Sequence, residues 1–83
     1  MQEPEIHEAA RKHWVVDADM RYVFANPLRT LTEQGVWELT MHVGFTENGK
    51  LIEVGFVTAS NGPVVILHAM PVNRQRARSK YGL

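Results

Sequence analysis

Three histidines stand where their chemistry could be used. His13 closes the run Arg11-Lys12-His13, His42 stands in the alternating stretch "WELTMHVGF", and His68 interrupts the apolar stretch "VVILHAM". An imidazole changes charge near neutral pH, so each can act as general acid or base, or contact a phosphate. A second concentration of chemistry is "PVNRQRARSKYGL", Pro71–Leu83, which holds Arg74, Arg76, Arg78 and Lys80 and no acid. It carries four of the nine Lys and Arg residues while all nine acids precede it, so this segment balances at +4 and the rest at −4. Arginine forks grip phosphates and carboxylates alike. In a helix Arg74 and Arg78 share one face, and Arg76 and Lys80 another.

Each group also has a plainer reading. Cations at Arg11–His13 suit a helix C-terminus, and a basic helix can be merely a solvated face. Tyr81 could stack on a base or pack into the core. Trp14 and Trp37 read as core or partner-contact residues. His42, His68 and Glu53 could be drawn together as metal ligands, but their spacing matches no metal signature, and neither metal nor cofactor is expected. The chain has no Walker loop, nucleophile elbow, Gly-rich dinucleotide turn or HExxH helix.

The elements that must position these residues follow from pattern. "PEIHEAARKH" at 4–13 predicts a first helix, with Pro4 in its first turn and Ile6, Ala9, Ala10 and His13 on one face. A second helix is expected from an Asp17 cap to the Asn26-Pro27 stop, with Met20, Val23 and Phe24 inward. Leu28–Thr32 reads as an edge strand. Trp37, Leu39, Met41, Val43 and Phe45 alternate with polar or small residues, the mark of a strand with one buried face. Asn48-Gly49 and Asn61-Gly62 then separate "LIEVGFVTAS" and "PVVILHAM" as tight hairpin turns. The expectation is one α+β domain over 1–83: two N-terminal helices, a four-stranded antiparallel meander and a basic C-terminal helix.

Two-residue turns would fix the register. Phe45 would face Ile52, Val43 would face Val54 and Met41 would face Phe56. On the second hairpin Ser60 would face Pro63, Phe56 would face Leu67, Val54 would face Ala69 and Gly55 would face His68. His42, Gly55 and His68 then form one row, with the imidazoles roughly 9.6 Å apart and Glu53 beside them. That describes a polar groove with a glycine floor on an open sheet face.

Composition narrows the classes. With no Cys, disulfides and thiol chemistry are excluded. No apolar run approaches the ~20 residues of a membrane span, and "MQEPEIHEAARKH" is no signal peptide, so a cytoplasmic protein is expected. Zero net charge argues against a general nucleic-acid coat but allows a local basic patch.

Two stretches together resemble BrnT-like toxins. "KHWVVDADMRYVFANP" is similar to that family's early segment through Lys12, His13, Val15, Asp17, Phe24, Asn26 and Pro27, and "NRQRARSKY" is similar to its tail. Trp14 departs from the pattern, which usually has Gly there; the last strand has no Arg, and the tail lacks the usual Glu. The resemblance implies a RelE-like fold and a toxin-type endoribonuclease. Such an enzyme cuts mRNA, free or on the ribosome, by 2′-OH attack without metal and is neutralised by a cognate antitoxin protein. It implies Lys12 and His13 in catalysis and Arg74, Arg78 and Tyr81 on RNA phosphate, with Arg11 in the same basic cluster. His68 joins the catalytic candidates from the register, with His42, Glu53 and Gly55 forming the groove. The rival readings are a non-enzymatic interaction domain of the same fold and a small-molecule groove.

Overall fold

The computed structural model describes residues 3–35 and 38–83; Trp37 and Val36 lie outside them. It is an α+β domain. The elements are β1 (Glu5–Ile6), a 3-10 turn (Glu8–Arg11), α1 (Asp17–Ala25), β2 (Arg29–Glu33), β3 (Leu39–Phe45), β4 (Leu51–Thr58), β5 (Val64–Pro71) and α2 (Arg74–Tyr81). The sheet has five strands in the order β1-β5-β4-β3-β2, antiparallel except for β1, which runs parallel to β5.

The expected first helix is therefore replaced by a short strand and a single tight turn. A ten-residue helix is marginal unaided. Here Glu5 and Ile6 instead pair with Val65 and Ile66, and the His7 amide reaches the Ile66 carbonyl at 2.9 Å. His7 then caps the turn, its Nδ1 accepting from the Ala9 amide at 3.0 Å. The second helix forms, with Val16 and not Asp17 as its cap. Asp17 is drawn away by Arg11, whose Nε and Nη2 donate to its two carboxylate oxygens at 3.0 and 2.8 Å. The edge strand stands, as Arg29–Glu33.

The turns are one residue longer than expected. The Thr46 amide bonds the Lys50 carbonyl, leaving Glu47–Gly49 as a three-residue loop with Gly49 at φ +82°. Register in the first hairpin consequently slips by one: Met41 pairs with Gly55, His42 with Val54 and Val43 with Glu53. A one-residue slip turns every side chain to the other face. The second turn has the same form, with the Ala59 amide on the Pro63 carbonyl, so Ser60 does not face Pro63. Phe56 pairs with Ile66 and not with Leu67. A bulge between Gly55 and Phe56 then absorbs the extra residue, and Val54–Ala69 and Gly55–His68 pair as expected.

Both sheet faces are covered. One carries Ile52, Val54, Ile66 and Ala69 against Met20 and Val23 of α1 and Ala10 of the 3-10 turn. The other carries Met41 and Val43 against Val72 and against Ala77 and Tyr81 of α2. The expected groove of His42, Gly55 and His68 does not form, because His42 pairs with Val54 on the α1 face while Gly55 and His68 lie on the α2 face. Asn73 starts α2 by accepting from the Arg76 amide at 2.8 Å, and Gly82 closes it in the left-handed region.

Candidate functional site

A carboxylate in the middle of an apolar strand must find partners or stay neutral. Glu53, in "LIEVGFV" of β4, has no solvent exposure. Its Oε1 accepts from Arg76 Nε and Tyr81 Oη, both at 2.8 Å, and its Oε2 from Arg76 Nη2 at 2.9 Å and His68 Nε2 at 2.7 Å. Two donors on each oxygen saturate it. Burial pushes the carboxyl up, but hydrogen bonds from His68, Arg76 and Tyr81, with the Arg76 charge, outweigh burial and hold it at about 2. Burial first, then the bond to Glu53, raises Tyr81, so its hydroxyl is a fixed donor. The same carboxylate raises Arg76.

This fixes the His68 ring. Glu53 is ionised and has no proton to give, so Nε2 carries the hydrogen of that bond. The other ring nitrogen, Nδ1, makes no hydrogen bond among the described residues. β1 pairs only with Val65 and Ile66, so β5 is the sheet edge at His68. There His13 meets it edge to face, with ring centroids 6.0 Å apart at 76°. Two imidazoles at one edge, one oriented by a buried carboxylate, form an arrangement able to take a proton and give one.

The other candidates lie elsewhere. His42 is turned to the α1 face, where its Nδ1 donates to the Phe24 carbonyl at 2.8 Å and its ring packs on Phe24 and Phe56. It satisfies a helix-end carbonyl and is not part of a groove with His68. Gly55 is buried beneath side chains, where an added Cβ would meet Met41 Sδ at 2.8 Å and His68 Cβ at 3.2 Å. It allows that close approach and floors no groove. Arg11 is committed to Asp17 and Glu8, while Lys12 is exposed beside His13. Arg74 and Arg78 lie exposed on the outer face of α2 with Gln75 and Ser79. Lys80 pairs with Glu33 of β2. The described residues contain no group of three or more His, Cys, Asp or Glu side chains placed to hold a metal, and no helix among them is long and apolar enough to cross a membrane.

Arg76 is the residue that sequence reasoning missed. Its signal was present: an isolated Glu in an apolar central strand, and a cation-rich segment without acids. Trp14 was expected in the core or at a partner contact. It is 91% exposed, on backbone at φ +66°, a conformation costing a bulky residue roughly 1–3 kcal/mol.

No family model matches this chain, and neither the curated proteins nor the solved structures contain a match. The class that fold and cluster define is a small α+β domain in which a buried Glu of the central strand joins an Arg and a Tyr of the C-terminal helix to a pair of histidines at the sheet edge.

Proposed function

We propose that this chain is a metal-independent endoribonuclease of the toxin type, RelE-like in fold, working in the cytoplasm and held in check by an antitoxin protein. One observation carries the reading: His13 lies against His68, and buried Glu53 fixes which His68 nitrogen is the base. His68 Nδ1 takes the proton of the RNA 2′-OH. The 2′-oxygen attacks phosphorus, the P–O5′ bond breaks, and His13 protonates the leaving 5′-oxygen. A 2′,3′-cyclic phosphate and a free 5′-OH remain. Lys12, the chain neighbour of His13, offsets the charge gathering on the phosphoryl oxygens. Glu53 touches no substrate; it positions His68 as the third group of a triad positions its histidine.

The test is cleavage of a single-stranded RNA in EDTA, with end-group analysis. Wild type is expected to leave cyclic phosphate ends, and His68→Ala and His13→Ala to lose about 100-fold or more each. Wild-type protein that leaves free RNA intact in EDTA and also leaves ribosome-bound mRNA intact in Mg2+ buffer overturns the reading. A second reading, a non-enzymatic interaction domain, is favoured by the outward Arg74 and Arg78. They fit an acidic segment of a partner protein. Under that reading His68→Ala leaves partner binding unchanged.

A further inference from the structure

Resting on that ribonuclease reading, we propose that Trp14 is a stacking platform for a nucleobase of single-stranded RNA, seated next to the scissile phosphate. Trp14 follows His13 directly in the chain, and its indole adds nothing to the core, being 91% exposed. The backbone nevertheless holds it at φ +66°, where a side chain is disfavoured and glycine is not. The turn is braced by the Trp14 amide on the Arg11 carbonyl at 3.2 Å and by Arg11 on Asp17. The braced turn fixes the point from which the exposed indole projects, so only its two side-chain torsions have to be ordered on binding.

Its surroundings select the ligand. On one flank Trp14 shares a recess with Lys12, and on the other a recess with His13, Val16, Lys50 and Pro71. Each recess thus holds a cation together with the indole, Lys12 in one and Lys50 in the other, the combination that binds single strands: stacking for the base, charge for the backbone. Of the acids there, Glu8 and Asp17 are engaged by Arg11, and Asp19 lines the recess of His13. Stacking needs a base free of its duplex partner and is indifferent to base identity. The ligand class is therefore single-stranded RNA of relaxed sequence preference.

The test uses a fluorescein-labelled oligonucleotide with 2′-deoxy sugars, which binds but cannot be cut, read by anisotropy. Trp14→Ala and Trp14→Gly are expected to bind it about 5- to 150-fold more weakly and Trp14→Phe to retain most of the affinity; Trp14→Ala and Trp14→Phe should melt as wild type does, and Trp14→Gly, relieved of the positive-φ strain, at or above wild type. Binding to a duplex of the same sequence should not change. Equal affinity of wild type and Trp14→Ala for the single strand overturns the proposal, as does equal loss on the duplex. So does a wild type with no affinity for the strand whose Trp14 is needed only to capture an acidic protein. Cleavage of the all-ribose strand separates the two ideas. Stacking with no cleavage sinks the ribonuclease reading and leaves the platform, whereas cleavage whose KM is indifferent to Trp14→Ala does the reverse.

Discussion

Glu53→Gln is the sharpest perturbation of this fold. Glutamine keeps the shape of the side chain, so no cavity opens. It removes the charge and turns one acceptor oxygen into an amide donor facing donors that are already there. Whichever way the amide lies, two of the four hydrogen bonds from Arg76, Tyr81 and His68 are lost. The carboxyl sits at about 2 where an unfolded chain has 4.5. That difference corresponds to about 3 kcal/mol of native stability. Removing one partner of a buried pair generally costs about 3–5 kcal/mol; the Arg76 side chain is 34% exposed and can reach water, which favours the lower figure. A domain of this length has roughly 4–12 kcal/mol in all, so the loss is a large share of the whole.

The sign sets the pH window. The folded value is depressed, so the contribution is complete above the unfolded value of 4.5 and disappears as pH falls towards 2. Asp17 is also lowered, by Arg11, but it is present in both proteins and cancels in the comparison. Denaturant melts of wild type and Glu53→Gln across that range should therefore show a gap of about 3 kcal/mol at neutral pH that closes in acid. A gap that stays constant with pH, or a neutral-pH loss under about 1 kcal/mol, would refute the account of Glu53 as a buried, charge-paired anchor.

Two further predictions follow from the same geometry. Gly55→Ala forces a Cβ towards Met41 Sδ and His68 Cβ and should cost about 1–3 kcal/mol by overpacking; a melt matching wild type would mean β4 and β5 have slack. The Arg74→Ala, Arg78→Ala double variant should melt as wild type, since both residues are exposed. Its salt dependence of RNA binding should flatten by about 1.4 in log–log slope, and an unchanged slope would remove α2 from the RNA path.

The parts legible beforehand were those fixed by long patterns. The alternation from Leu39 to Phe45 and the apolar runs of β4 and β5 gave strands, and the basic segment gave a helix, α2. What was not legible turned on single residues. Asn48-Gly49 reads as a two-residue turn, but Gly49 closes a three-residue loop, and that one residue moved His42 from the face of His68 to the face of α1. The Gly55–His68 pairing was reached because a longer turn and a bulge cancel. Residues 4–13 failed for a different reason: a free edge of β5 offered Glu5 and Ile6 partners that no local propensity could reveal.

The concentration of cations in Pro71–Leu83 is not one feature with one purpose. Arg76 and Lys80 turn inward to Glu53 and Glu33 and fasten α2 to the sheet, whereas Arg74 and Arg78 face out. The inward pair accounts for the body's acids meeting the tail's charge, and the outward pair is what remains for a ligand. Under the proposed ribonuclease reading, fastening and chemistry share one atom. Glu53 Oε2 accepts from both Arg76 and His68, so the helix cannot leave without loosening the imidazole. Arg76→Ala should accordingly cost stability and catalysis together, while His68→Ala should cost catalysis and leave the Arg76 and Tyr81 bonds to hold the fold. Equal loss of stability in the two variants would show that His68 belongs to the fastening and not to the chemistry.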